Sequence, residues 1–391
     1  MQICGRSYEN GEPLRVTIEN RRITRVEPAW PTDDSSAWPW IAPGMFDLQI
    51  NGHGGTWFSK ESLTADDVIS TLEPHFQYGI TRMCPTLVTN SYEALAGGFN
   101  AIREACERED WVDRMVPGCH LEGPYISRED GPRGAHPLSQ VRAADWDEFQ
   151  RLQEASGNRI RLVTLAPEAG NAVDFIRRAV ESGVVISIGH TGATPEQVQD
   201  AVAAGAQLST HLGNGAHGQI RRHPNYIWEQ LGTTDLMASL ITDGFHLPPS
   251  VVRSMIGAKG VFRTIITCDA SGLAGCPPGK YREGEMAVEI LEDGRLVLAG
   301  QDQLLAGSGV ETDTCVAKAI EFAGLSLREA LDMAGRNPSR LLRFEEPRLR
   351  RGSLADVILF HWDGPGSPLE MVATVAQGDL RYGEIPELAL A

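Results

Sequence analysis

Ionisable and amide side chains recur in this chain at one kind of position, immediately after an apolar, β-branched run. Gln49, Asn51 and His53 follow the run in GMFDLQING. His120 and Glu122 end the run in VPGCHLEGP, His190 ends VVISIGH, and His211 ends QLSTH. Asp243 and His246 follow LMASLIT, and Asp269 ends RTIITCD. A carboxylate at the end of a buried run is costly unless it meets something positive. One glutamate and two histidines, drawn from three separate runs, match a catalytic zinc site that keeps its fourth position open. Glu122, His190 and His211 therefore read as ligands of a divalent cation. A lone histidine at such a position is more often a hydrogen-bonded structural residue; the weight lies in the combination. Asp269 has two readings. Before Ala270-Ser271-Gly272 it suits an Asx turn. Beside a cation that acidifies water it suits a general base, and the constellation favours the base.

Side chains from separate runs meet only if the runs end at one face. From about residue 43 to 347, eight such runs alternate with amphipathic helical patterns such as TADDVISTLEPHFQYG, NAVDFIRRAVESG and TPEQVQDAVAAG. In the last, Thr194 is placed as an N-cap with Pro195 at the first helical position. Near-continuous apolar strands between helices imply a covered parallel sheet. Eight of them close a (β/α)8 barrel of the TIM type, an α/β fold whose chemistry lies at the carboxyl ends of its strands. An open doubly wound sheet is the alternative, but NGHGGTW matches poorly the glycine-rich turn that it would carry after its first strand. Residues 1–42 and 348–391 read instead as short strands separated by turns, the two parts of one small β-sandwich flanking the barrel.

Composition sets the outer bounds. Of 391 residues 42% are hydrophobic and 22% charged, and 41 glycines and 23 prolines imply many tight turns. A net charge of -17 argues against a nucleic-acid partner. No apolar run approaches the roughly 20 residues of a membrane span, and the start lacks the pattern of a secretory signal. Seven scattered cysteines with no CxxC pair read as reduced thiols. A cytoplasmic protein with no membrane partner is expected.

The segments APGMFDLQINGHGG, HLEGPYI, GAHP, SIGHTGAT, THLGNGAH, TDGFHL, TCDASGLAG, LAGSG and NPSRLL, in this order, span most of the chain. In them it resembles the amidohydrolase superfamily and, within it, the N-acetylglucosamine-6-phosphate deacetylases. The resemblance implies hydrolysis of the acetamide of N-acetyl-D-glucosamine 6-phosphate to glucosamine 6-phosphate and acetate, by a homodimer. Where most of the superfamily has an HxH pair this chain reads Gln49-Ile50-Asn51, which implies one metal ion per chain, Zn2+, held by Glu122, His190 and His211. His53 is expected at the surface or behind the ligands. Asp269 and His136 are implied as catalytic, with His136 polarising the acetyl carbonyl. Asn214, Gly215, Arg222 and His246 are implied to bind the sugar and its phosphate. After the second histidine ligand the family has an aromatic residue and then Asn-Ala-Met; here stand Gly213, Asn214, Gly215, Ala216 and His217. That departure bears on which sugar is taken and leaves N-acetylgalactosamine 6-phosphate or an unphosphorylated amino sugar as alternatives. A dihydroorotase- or hydantoinase-like cyclic-amide hydrolase would want a strand-end lysine and the HxH pair. A non-catalytic scaffold should have lost ligands or the strand-eight aspartate.

Overall fold

The chain opens with strands β1 (Gln2–Ser7), β2 (Pro13–Glu19), β3 (Arg22–Pro28) and β4 (Trp40–Pro43). The eight apolar runs follow as β5 (Met45–Ile50), β6 (Ile80–Val88), β7 (Cys119–Glu122), β8 (Ile160–Leu165), β9 (Val185–Ile188), β10 (Leu208–Ser209), β11 (Met237–Ile241) and β12 (Thr264–Thr267). In the computed structural model, which describes residues 1–32, 34–283 and 286–388, each of the eight pairs in parallel with its sequence neighbour. Nearly every position on them is buried, as a sheet covered by helices on its outside requires. The helices form where the amphipathic patterns lie. Helix Pro195–Ala203 starts at Thr194, whose hydroxyl accepts from the Gln197 amide while the Gln197 side chain answers in a capping box.

The barrel closes between its first and last strands by a seam built largely on one side chain. Ile50 and Ala270 form a parallel bridge, and Asn51 N donates to Ala270 O at 2.8 Å. Behind them the fully buried Asp47 accepts from Cys268 N at 2.8 Å, Gln49 N at 2.9 Å, Thr312 Oγ1 at 2.6 Å and Thr267 Oγ1. The carboxylate thus replaces ladder hydrogen bonds that two diverging strands do not make. Inside the barrel, hydroxyls form a layer: Thr164 Oγ1 and Thr210 Oγ1 share a hydrogen bond of 2.7 Å, and Ser187 joins Thr210.

Between β12 and the last helices the chain inserts an antiparallel meander, β13 (Gly279–Glu283), β14 (Met286–Ile290), β15 (Leu296–Leu298) and β16 (Gln301–Leu305). It has a small core of its own, in which Trp57 and Leu273 meet Val288, Ile290, Leu296 and Ala306. The motif reading passed over this insertion. Its signal is Asp293-Gly294 between two alternating runs, the mark of a hairpin.

The chain ends with β17 (Val357–His361), β18 (Glu370–Ala376) and β19 (Asp379–Gly383), which join β1–β4 in a separate seven-stranded sheet of order β19-β18-β17-β4-β1-β2-β3. The sheet bends round on itself. At its two edges, the β18–β19 turn and the β2–β3 turn meet so closely that a Cβ on Gly378 would stand 3.1 Å from Arg21 Cα. Ile3, Val16, Ile23, Val357 and Val375 share the core so enclosed. Both termini therefore build one sandwich. Among the described residues no helix is long and apolar enough to cross a membrane.

Asp47→Ala should lower stability by at least about 3 kcal/mol, since it strands four buried donors at the seam. Chemical denaturation measures this, and a loss under about 1 kcal/mol would mean that the seam closes without the carboxylate.

Candidate metal-dependent active site

Glu122 is the last residue of β7, and its side chain is almost fully buried. Its Oε1 lies 3.1 Å from His190 Nε2 and 3.1 Å from His211 Nε2, and those two nitrogens are 3.1 Å apart. Three donor atoms thus form an equilateral triangle. Ligands about 2.0 Å from a tetrahedral zinc ion would stand about 3.3 Å apart, so the triangle has the right size for one face of such a site. The protonation pattern agrees. His190 Nδ1 donates to Pro132 O at 3.0 Å, which leaves the Nε2 lone pair pointing at the triangle. Burial alone would raise the Glu122 carboxyl, but the His190 and His211 contacts outweigh it and hold the group well below the usual carboxylate range. Burial alone would lower His211; the Glu122 carboxylate raises it instead.

The backbone strains to aim these groups. His190, His211 and Asp269 have φ of 50°, 29° and 52°, in the left-handed region that side chains other than glycine seldom enter. Surrounding contacts maintain it. His211 N donates to Ser239 Oγ, and Thr191 Oγ1 and Gly192 N both donate to Glu168 just beyond His190. Gly215 (φ 55°) closes over His190, where a Cβ would come within 2.8 Å of Nδ1.

The strand-one amides bind carboxylates. Gln49 Nε2 donates to Glu122 Oε1 at 2.9 Å and to Asp269 Oδ1 at 3.0 Å, and Asn51 Nδ2 donates to the same Asp269 oxygen at 2.8 Å. Two N–H groups thus stand where an imidazole pair would hold a second cation. No described residue donates to Asp269 Oδ2, which is left to the cavity. Burial, and then the nearby Glu122 charge, push the Asp269 carboxyl up to about 6.

These groups line a cavity of about 470 Å3, which His136, Asn214, Gly215 and His246 also line. His136 Nε2 is 3.3 Å from His190 Nε2, and its Nδ1 is 2.8 Å from Thr89 Oγ1. Burial, followed by the charge of His190, drives it down to about 3, so it is neutral at ordinary pH. His246 Nδ1 is fixed by Asp243 Oδ2 at 2.7 Å. Asp243 is spent on that task and on the Phe245 and His246 amides. Burial would raise its carboxyl, but the His246 contacts prevail and lower it. His120 stands apart from the triangle, fully buried between Thr86 and Thr164, and burial pushes it down to about 4. Arg222 lies exposed on the loop after Gly215 and does not line the cavity; Arg295, just before the inserted meander's third strand, does. Trp57 and Leu305 line it too. Motif reading missed all three; the hairpin signal at Asp293-Gly294 marks the meander that carries Arg295 and Leu305, and nothing in the sequence marked Trp57. His53 is turned away to Glu311, 2.9 Å from its Nδ1.

The sequence model of the amidohydrolase family matches residues 40–381. The N-acetylglucosamine-6-phosphate deacetylase of Bos taurus is 32% identical over 354 residues, 87% of this chain and 83% of its own. The N-acetylgalactosamine-6-phosphate deacetylase of Shewanella sp. (strain ANA-3) is 30% identical over 348 residues, 88% and 83% of the two chains. Among solved structures, N-acetyl-D-glucosamine-6-phosphate deacetylase from Mycobacterium smegmatis superposes with a TM-score of 0.84 at 29% identity, covering 94% of this chain and 95% of that one.

Gly215→Ala should displace the His190 ring and weaken metal binding by about 10–100-fold, the usual cost of disturbing what orients a ligand. Metal titration of the variant measures it. Unchanged affinity would show that the loop simply moves aside.

Proposed function

Because the chain belongs to the amidohydrolase family, and within it to the N-acetylglucosamine-6-phosphate deacetylases, we propose that it hydrolyses the acetamide of N-acetyl-D-glucosamine 6-phosphate to glucosamine 6-phosphate and acetate. The observation that carries this reading is the convergence of Glu122, His190 and His211 on one point, with the free Oδ2 of Asp269 facing the same cavity. Those three residues would hold one Zn2+, whose donor set of two imidazoles and a carboxylate suits it. When bound, the ion supplies Lewis acidity towards the amide carbonyl and acidifies water.

The chain's own residues do the rest. Asp269 takes a proton from the attacking water through Oδ2, held in place by the two amides on Oδ1. It then delivers that proton to the nitrogen, because an amide leaves only as the amine. Neutral His136, its Nδ1 fixed 2.8 Å from the Thr89 hydroxyl, presents its Nε2 side to the oxyanion that forms on the carbonyl. His246 and Asn214 bind the sugar. Arg295 meets the phosphate from within the cavity, and Arg222 serves it from the exposed loop. That loop carries Ile220 42% exposed, and Trp228, 55% exposed, lies just beyond it on helix Tyr226–Gly232. Apolar exposure there favours a homodimer formed at this edge. Seven unpaired cysteines favour a cytoplasmic enzyme.

Asp269→Asn should retain the metal and lower kcat by about a hundredfold or more; near-normal turnover would return Asp269 to a turn-capping role. A base must be ionised, so kcat/KM of the wild type should fall as pH drops through the Asp269 pKa. That value is about 6 without a cation and lower with one, so a limb above pH 6 would point to another group.

Arg295→Ala should lower kcat/KM for the phosphorylated sugar by about tenfold to 150-fold, equivalent to ~1.5–3 kcal/mol for a charge-assisted contact. It should leave N-acetylglucosamine itself nearly unaffected; Arg222→Ala is measured alongside. Equal wild-type rates on the two sugars would overturn the phosphate assignment. Comparing N-acetylglucosamine 6-phosphate with N-acetylgalactosamine 6-phosphate decides the epimer.

A further inference from the structure

A second group of metal-ligating side chains lies outside the catalytic triangle. His53 belongs to the loop after β5, His75 to the short helix Glu73–Tyr78 before β6, and Glu311 to the segment between the meander and helix Thr312–Ala323. Their donor atoms lie within 4.8 Å of one another. Glu311 Oε1 is 2.9 Å from His53 Nδ1, and Oε2 is 3.2 Å from His75 Nδ1. The side chains are 10%, 0% and 3% exposed for His53, His75 and Glu311.

Three features do not fit a simple hydrogen-bonded network. His75 is fully buried, yet neither ring nitrogen has a hydrogen-bond partner among the described residues, although a carboxylate oxygen stands 3.2 Å from Nδ1. The oxygen is near but out of line with the ring nitrogen. Two ligands of one ion show that relation, because their lone pairs point at the ion and not at each other. A buried imidazole left this way costs about 1–3 kcal/mol. Glu311 occupies the N-cap position of helix Thr312–Ala323 but makes no side-chain cap bond; its carboxylate faces the two imidazoles. The cluster is also enclosed. A Cβ on Gly275 would stand 2.9 Å from His53 Nε2, so the loop after β12 packs onto the ring.

We propose that His53, His75 and Glu311 form a second, buried site for a transition-metal dication, separate from the catalytic triangle. Two imidazoles and a carboxylate select Zn2+, Co2+ or a similar ion over Mg2+ or Ca2+, which favour all-oxygen shells. The site is structural. It ties the loop after the first barrel strand to the helix that begins at the seam, where Thr312 already holds Asp47.

The test is metal content per chain after chelation, reloading with Zn2+ and desalting. Wild type should hold two ions. The His190→Ala/His211→Ala double variant should hold one and be inactive. Glu311→Gln should hold one, bind the second more than about a hundredfold more weakly, beyond the range for residues that only orient ligands, and keep its deacetylation. His75→Asn provides the same readout should Glu311→Gln fail to fold. Co2+ loaded into the double variant should give the visible absorption of a four-coordinate site, and the further Glu311→Gln change should abolish it. A wild type with one ion, or a double variant with none, would overturn the proposal and leave a buried hydrogen-bonded cluster. Neither result bears on the catalytic triangle, whose ligands are different residues.

Discussion

A buried carboxylate that meets two imidazole nitrogens at 3.1 Å and accepts from one amide is the contact on which the rest of this molecule depends. Glu122 ends a barrel strand, almost without exposure, and three donor-bearing side chains from three other strands converge on its Oε1. None of those neighbours is permanently cationic. In a low-dielectric interior such a cluster is costly unless positive charge resides in it, and the geometry reserves a point for that charge. The left-handed backbone at His190 and His211 is intelligible on the same ground: strain of about 1–3 kcal/mol per residue persists only where surrounding structure over-determines it.

Gln49 and Asn51 set the hydrogen bonding of the two carboxylates at the mouth of the barrel. An imidazole offers a lone pair to a metal, whereas these amides turn their N–H groups to Glu122 and Asp269. The N–H groups favour the anionic form of both carboxylates. The same contacts occupy Asp269 Oδ1 and leave Oδ2 to the cavity.

The seam between β5 and β12 joins the catalytic site to the scaffold. Asp47 gathers donors from both strands and from the helix behind them, while two residues further along β5 the Gln49 side chain reaches the carboxylates. Alternation along one strand thus puts barrel closure and carboxylate orientation on a single element.

The sequence by itself determined the barrel, because eight buried strands separated by amphipathic helices are a local, periodic signal, and all eight runs became strands in the expected order. It also determined that polar residues cluster at one mouth. Glu122, His190, His211 and Asp269 were legible because a charged residue at the end of an apolar run violates the pattern around it. The meander stayed hidden, since its hairpin signal at Asp293-Gly294 was weaker than the motifs on either side. Tertiary structure alone decided that Arg295 lines the cavity while Arg222 stays outside, that His120 is a packed member of a hydroxyl layer, and that His53 meets Glu311, 258 positions away. Periodicity records which face of an element is buried. It carries no information on which loops meet across the end of a closed barrel, because that depends on the seam's register and on how far each loop reaches.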